Sequence, residues 1–364
     1  MFCIAICLLC IGVGACATLP TSGEDLGSLP PITSITHNTP SPAPDIIDYS
    51  QVLEAFKAGL KSELILLNNW SMDLGYDEAT SIIRSINRYV LKQELLAGLL
   101  PKAAEAAYEN AKAQLSTYNL TLSTDIQCPE WQFLAAVLPN IESVDELIFV
   151  LSPKFEVAEE NGSYSLMITV SPISIIEYAN YYSESKPKEE ASNAYLDVRF
   201  TYGYLKAAYN EKGEFDLKYS YDYPKEYLDT LTFPLMRVSE FNDTWGAGRS
   251  NNTRMHMGTD IRELEGTKIL SCSSGKVVAV GTAAIPGNYV VVLDDYGYEF
   301  HYYHMVEPTT YVNVGDRVEK GDILGEVGNT GNSDVNHLHL TVASPDGTFV
   351  NPYKMLQYLA EKQG

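Results

Sequence analysis

Positive charge is scarce in this 364-residue chain: 25 lysines and arginines stand against 47 aspartates and glutamates, a formal net charge of -22. Phosphate backbones demand a basic stripe, so nucleic acid is excluded as a partner. Long hydrophobic runs are scarce too. Only residues 1–18 are apolar enough to enter a bilayer core, which excludes a polytopic membrane protein. Four of the six cysteines (Cys3, Cys7, Cys10, Cys16) lie in that run. The other two, Cys128 and Cys272, fall in different predicted domains without metal-ligand spacing and read as separate buried thiols. Histidine is equally rare, but five of six (His256, His301, His304, His337, His339) crowd into the last third. An even scatter would place about two there, so the cluster is the feature to explain. The sixth, His37, reads as a solvated linker residue.

The uncharged start, MFCIAICLLCIGVGACAT, predicts a signal or a membrane anchor over residues 1–17, and hence an exported protein tethered in the cell envelope. Val13-Gly14-Ala15-Cys16 resembles a bacterial lipobox, which implies lipidation of Cys16; an uncleaved anchor is the alternative, since no Lys or Arg precedes the run. A Pro/Ser/Thr-rich linker follows over 18–45 and reads as an extended tether. Residues 46–162 are expected to form a helical domain. Val52, Phe56, Leu60 and Leu64 share one helix face, as do Ile82, Ile86 and Val90. An alanine-rich run follows Pro101, and Ser143 opens a capping box. Residues 163–232 alternate and hold eleven tyrosines between Tyr178 and Tyr227. Leu196, Val198 and Phe200 suggest one strand, Phe215, Leu217, Tyr219 and Tyr221 another, with a turn at Asn210–Gly213. From Phe233 to the end, short strands punctuated by glycine predict an all-β domain of antiparallel sheets. The fold class expected is thus multidomain: a helical N-terminal region, an α+β, tyrosine-rich middle and an all-β C-terminal domain.

That last domain holds the chemistry. In His337-Leu338-His339-Leu340 the two histidines project from one strand face, roughly 6–7 Å apart, with the leucines turned to the core. Upstream, His256 and Asp260 can converge if the chain bends at Gly258, and imidazole nitrogen and carboxylate oxygen are both good zinc ligands. In Tyr302-Tyr303-His304 strand alternation puts His304 on the face of Tyr302 and His301 on the other, so His304 reads as the site residue and His301 as structural or surface. A catalytic zinc takes three protein ligands and leaves a position open. His256, Asp260 and one histidine of the pair make three, and the surplus histidines suit acid/base and oxyanion roles.

The stretches DTWGAGRSNNTRMHMGTD, SSGKVVAVG, GNYVVVLDDYGYEFHYYHM, VNVGDRVEKGDILGEVGNTGNS, HLHL and VNPYKML, in this order over about 110 residues, resemble the lysostaphin-like, or LytM-type, zinc metallopeptidases. The resemblance implies a metallopeptidase domain over 233–364 that hydrolyses peptide bonds of bacterial peptidoglycan, in the stem or the cross-bridge. It implies Zn2+ held by His256, Asp260 and His339, with His304 and His337 as the catalytic pair. The alternative is a silent domain that binds the wall or regulates other wall hydrolases; such members lack one or more of these five residues, and none is missing here. Several positions depart from the family pattern. Val335-Asn336 replaces Gly-Pro, Met305 replaces Leu, and Thr341 stands where an acidic residue is frequent, which bears on the outer support of the zinc ligands. The run Val314–Gly321 also looks like a carrier-domain hairpin, but Gly328-Asn329-Thr330-Gly331 lacks the lysine a carrier needs.

Overall fold

The computed structural model describes residues 120–126, 130–141, 146, 149–150, 153–160, 163–170, 172–249 and 254–363. The expectations for the anchor, the linker, the helical stripes from Val52 to Leu115, the cap at Ser143 and Cys128 lie outside these residues.

The upstream region is not wholly helical. Strand β1 (Leu120–Ile126), helix α1 (Trp131–Val137), strand β2 (Pro153–Glu160) and strand β3 (Ser163–Val170) follow in order. The sheet runs β1-β3-β2, with β1 parallel and β2 antiparallel to β3. The reading of 46–162 as helical therefore fails over β1 and β2. Leu120 and Leu122 alternate with Thr121 and Ser123, and the strand that pairs with them lies beyond the expected boundary.

The tyrosine-rich middle is corrected in the opposite sense. After β3, helix α2 (Ile175–Glu184) starts at Ser174, whose hydroxyl accepts from the Glu177 N–H at 3.1 Å. Helix α3 (Lys188–Ala208) then runs for 21 residues through the stretch expected as a strand. Leu196, Val198 and Phe200 do alternate, but the buried set Tyr195, Val198, Arg199, Tyr202 and Leu205 recurs every three to four residues, and this period wins. Residues 215–223 form no regular element and join no sheet, Phe215 alone bridging Tyr209. The Asn210–Gly213 turn exists, its Asn210 side chain accepting from the Lys212 and Glu214 N–H groups, but it returns the chain from a helix.

Past the short helix α4 (Lys225–Leu228) comes the antiparallel β domain, which agrees with expectation. Its strands are β4 (Gly248–Arg249), β5 (Arg254–Met255), β6 (Thr259–Arg262), β7 (Lys268–Leu270), β8 (Gly275–Ala283), β9 (Gly287–Asp294), β10 (Glu299–Thr310), β11 (Arg317–Val318), β12 (Ile323–Val327), β13 (His337–Ala343) and β14 (Phe349–Val350), closed by helix α5 (Tyr353–Gln363). The main sheet runs β11-β8-β9-β10-β12-β7, and β13 joins β10 to β6 and β14.

This sheet is buried on both faces, which is why Tyr289 to Val292 reads as an unbroken apolar run. Val290, Val292, Phe300, Tyr302, Leu338 and Leu340 pack toward Phe233, Met355 and Leu359 on one side. Tyr289, Val291, Tyr303, Ala343 and Phe349 belong to the core that also holds Tyr195, Val198 and Tyr202 of α3. Gly203 permits the close approach: a Cβ there would stand 2.5 Å from the Phe349 ring. Among the described residues no helix is long and apolar enough to cross a membrane.

Candidate metal centre

The register of β6 on β13 places Asp260 opposite His339 and Arg262 opposite His337. His256 enters from the end of β5, anchored by its N–H to the Ala247 carbonyl (2.9 Å). Gly258 matters through space: a Cβ there would lie 2.5 Å from His339 Nε2 and 2.6 Å from the Leu340 carbonyl oxygen. His256 Nε2 lies 3.0 Å from Asp260 Oδ1 and 3.0 Å from His339 Nδ1, and His339 Nδ1 lies 2.8 Å from Asp260 Oδ1.

The outward hydrogen bonds fix which nitrogens face inward. His256 Nδ1 lies 3.0 Å from the Thr244 carbonyl oxygen, which can only accept, so Nδ1 carries the proton and Nε2 presents a lone pair. The Thr341 hydroxyl donates to the Met257 carbonyl (2.7 Å), so its oxygen accepts from His339 Nε2 (2.9 Å), leaving Nδ1 as the free lone pair. Two imidazole lone pairs and a carboxylate oxygen thus converge with no proton assigned between them. That donor set repels itself unless a cation sits at its centre. The separations approach the edge of about 3.3 Å between ligands of a tetrahedral zinc at roughly 2.0–2.1 Å. His256, Asp260 and His339 therefore fit a zinc ion.

Thr341 supplies the outer support that the absent acidic residue put in question. Arg249 supplies more, Nη2 donating to Asp260 Oδ2 at 2.8 Å. Burial pushes the His339 imidazole down to about 3.

His304 reaches the site by a route that alternation does not provide. On β10, Phe300 and Tyr302 face the core, whereas Tyr303 stacks on the His339 ring (centroids 5.5 Å, planes 9° apart). A regular strand would therefore turn His304 inward with Tyr302. Instead β10 leaves its register with β9 between Tyr302 and Met305, and its partner changes from β13 before His304 to β12 after it. His304 sits at this bulge with φ 63°, the one positive φ outside glycine among the described residues. The bulge swings its ring beside His337 (centroids 4.7 Å). Backbone strain at a non-glycine residue marks functional positions. The phase argument that put His304 on the site face is thus replaced by a bulge.

The second pair is oriented like the first. His304 Nδ1–H donates to the Thr330 carbonyl (2.8 Å) and His337 Nδ1–H to the Val335 carbonyl (2.8 Å), so both Nε2 atoms carry lone pairs. His337 Nε2 lies 3.5 Å from Asp260 Oδ1. Burial, and after it the neighbouring His337, depresses the His304 pKa to about 4. His304, His337 and His339 also form a metal-compatible trio. His339 can serve only one group through Nδ1, and the trio with Asp260 is the tighter and holds the negative charge.

His301 is structural and fully buried, not a surface residue. Its Nε2–H donates to Glu299 (3.2 Å) and its Nδ1 accepts from the Tyr303 hydroxyl (3.0 Å). Glu299 also receives Arg199 Nε at 2.9 and 3.0 Å and the Tyr195 hydroxyl, both from α3. A continuous line of contacts thus runs from α3 through Glu299, His301 and Tyr303 to the His339 ring. No local motif signals it, because its members come from elements a hundred residues apart.

All five residues line one cleft of about 500 Å³. Leu196, Asp197 and Phe200 of α3 form part of its wall, Arg249 and Arg254 another, Ile285 and Pro286 a third. The upstream helix is therefore part of the cleft, although the sequence places it in another domain.

Residues 254–352 match the model of Peptidase family M23. The chain is 30% identical over 116 residues to an uncharacterized metalloprotease of Buchnera aphidicola, covering 31% of this chain and 30% of that protein. It is 36% identical over 89 residues to lysostaphin of Staphylococcus simulans, covering 24% of this chain and 18% of the relative. The solved catalytic domain of lysostaphin from Staphylococcus simulans is 27% identical, with a TM-score of 0.30, over 37% of this chain and 99% of that one. The chain thus spans less than a third of the length of these two curated relatives. The segment that carries the converging histidines and Asp260 is a peptidase family M23 domain of the lysostaphin-like, LytM type.

Proposed function

We propose that the protein is a zinc metalloendopeptidase that hydrolyses peptide bonds in bacterial peptidoglycan. The observation that carries this reading is the convergence of His256, Asp260, His304, His337 and His339 in one cleft, each imidazole with its outer nitrogen already committed. Zinc held by His256, Asp260 and His339 would polarise a peptide carbonyl and bring the pKa of a water to about 7. The rest falls to the chain's own groups. Because Thr330 and Val335 hold the Nδ1–H of His304 and His337, each Nε2 faces the cleft as an acceptor. One of the two takes the proton of the attacking water and passes it to the leaving amine; the other, protonated from solvent, donates to the oxygen that gains negative charge and keeps that proton when the carbonyl reforms. The depressed pKa of His304 keeps it unprotonated at neutral pH. Assembly of all five residues favours hydrolysis over a silent wall-binding role.

The purified protein should carry about one zinc per chain and release soluble muropeptides from isolated cell walls, with chelation abolishing release. His339→Ala should lose both metal and activity; full zinc and full activity in that variant would falsify the ligand set. His304→Ala should keep the metal and lose about 10²–10⁴-fold in kcat. Loss of metal there would overturn the division of roles.

We further propose that the chain acts at the cell envelope, tethered through its N-terminal apolar segment, with Cys16 as the lipid acceptor. Incorporation of labelled palmitate, lost in Cys16→Ala, tests the acceptor; unchanged labelling would reject it.

A further inference from the structure

The β4–β5 hairpin runs directly into His256 and carries Arg249 and Arg254 as cross-strand partners. Both line the cleft. Among the described residues one acidic oxygen answers them nearby: Arg249 takes Asp260 Oδ2, while Asp260 Oδ1 faces His256 and His339. Arg254 is half-buried, and its Nε, shielded from solvent, has no hydrogen-bond partner among the described residues. A buried guanidinium N–H without an acceptor is costly, and two like charges on adjacent strands add repulsion. The nearby Tyr204 hydroxyl accepts from the Met255 N–H (3.1 Å) and not from Arg254 Nε. Of the other carboxylates lining the cleft, Asp197 belongs to the α3 wall, and Glu240 and Asp334 lie at the exposed rim. A divalent cation at the metal centre would claim more of the Asp260 charge, leaving the hairpin side with uncompensated positive charge.

We propose that Arg254, seconded by Arg249, forms an anion subsite that takes a carboxylate of the peptide substrate close to the scissile bond. The planar guanidinium fork matches a carboxylate with two parallel N–H···O bonds, and the ligand supplies the acceptor the fold omits. The carboxylate can be the free α-carboxylate at a chain end or the side-chain carboxylate of an acidic or diamino-dicarboxylic residue. Both present the same two oxygens. The subsite rests on the peptidase reading for its place in a reaction, but not for its affinity.

The test uses the full chain and three versions of one synthetic stem peptide: all carboxylates free, the terminal one amidated, the side-chain one amidated. For the wild type, amidating the recognised carboxylate should lower kcat/KM about tenfold or more, mainly through KM, while amidating the other changes little. In Arg254→Gln the free and amidated peptides should converge to within about twofold, and Arg254→Lys should recover part of the preference, since a point charge replaces the fork. Zinc content read in the same samples separates loss of subsite from loss of metal. Equal use of all three peptides by the wild type, or an undiminished preference in Arg254→Gln, would overturn the subsite while leaving the peptidase reading intact. If no peptide is cleaved, titration calorimetry on the chelator-treated protein decides. Tighter binding of the free-acid peptide by wild type than by Arg254→Gln, about tenfold, sustains the subsite though the peptidase reading fails; equal binding overturns it.

Discussion

Two carboxylate–histidine clusters lie within the same domain, and they end differently. Glu299 is ringed by donors: the Arg199 guanidinium, the Tyr195 hydroxyl and the His301 N–H, all fully buried. Asp260 meets one guanidinium on Oδ2, but its Oδ1 faces two imidazole lone pairs. In the first cluster every lone pair has a proton and the positive charge is a fixed side chain. In the second the histidines have spent their protons outward, on Thr244 and Thr341, and the centre is left for a cation from solution. Residue type does not separate a structural cluster from a ligand set; the direction of the protons does.

Matched substitutions break the comparison most sharply. Asp260→Asn should abolish zinc binding and cell-wall hydrolysis while costing the fold less than its counterpart. Glu299→Gln should keep the zinc but cost about 3–5 kcal/mol of stability, because it leaves the Arg199 charge buried without its partner. Metal analysis beside urea unfolding reads both. Were Asp260→Asn the less stable variant and Glu299→Gln the zinc-free one, the two roles would have to be exchanged. The next effect is smaller. Thr341→Val keeps the shape but removes the acceptor that orients His339 Nε2–H, and should weaken zinc binding about 10–100-fold. Competition with a chromophoric chelator measures it, and unchanged affinity would mean that β13 alone orients His339.

The same contrast explains what could be read from the sequence. The pair on β13 and the approach of His256 and Asp260 are local features: alternation and a glycine encode them, and both stand in the structure as expected. The antiparallel Gly-rich domain was legible for the same reason. His304 was singled out on a face argument that the structure replaces, because a bulge is invisible to a period-two count. Helix α3 was hidden by an accidental alternation laid over a helical period. Arg249, Arg254 and Thr244 carried no signal, since their roles depend on what the hairpin and β6 bring near them. The Glu299 cluster was beyond reach, joining residues a hundred positions apart.

The smallest predicted effect comes from the protons of the Glu299 cluster. Burial, opposed by Glu299, lowers the His301 pKa below its ordinary 6.5. Burial would raise Glu299, but Arg199 and His301 overcome it and hold the carboxyl below 4.5. Both shifts act with one sign. As pH falls below 6.5 the unfolded chain takes up a proton at His301 that the folded protein refuses, so stability drops; below 4.5 the unfolded glutamate does the same, and the drop steepens. Each group contributes at most about 1.4 kcal/mol per pH unit inside its window. His339 and His304, depressed by burial, add to the slope with the same sign, so the cluster's share needs a difference measurement. His301→Gln, compared with wild type by urea unfolding of metal-free protein from pH 5 to 8, should reduce the slope below pH 6.5, by at most one proton's worth, and leave the slope above it unchanged. An identical slope in the two proteins would mean that His301 takes up its proton in the folded protein as readily as in the unfolded chain, which would overturn the effect of its burial beside Arg199.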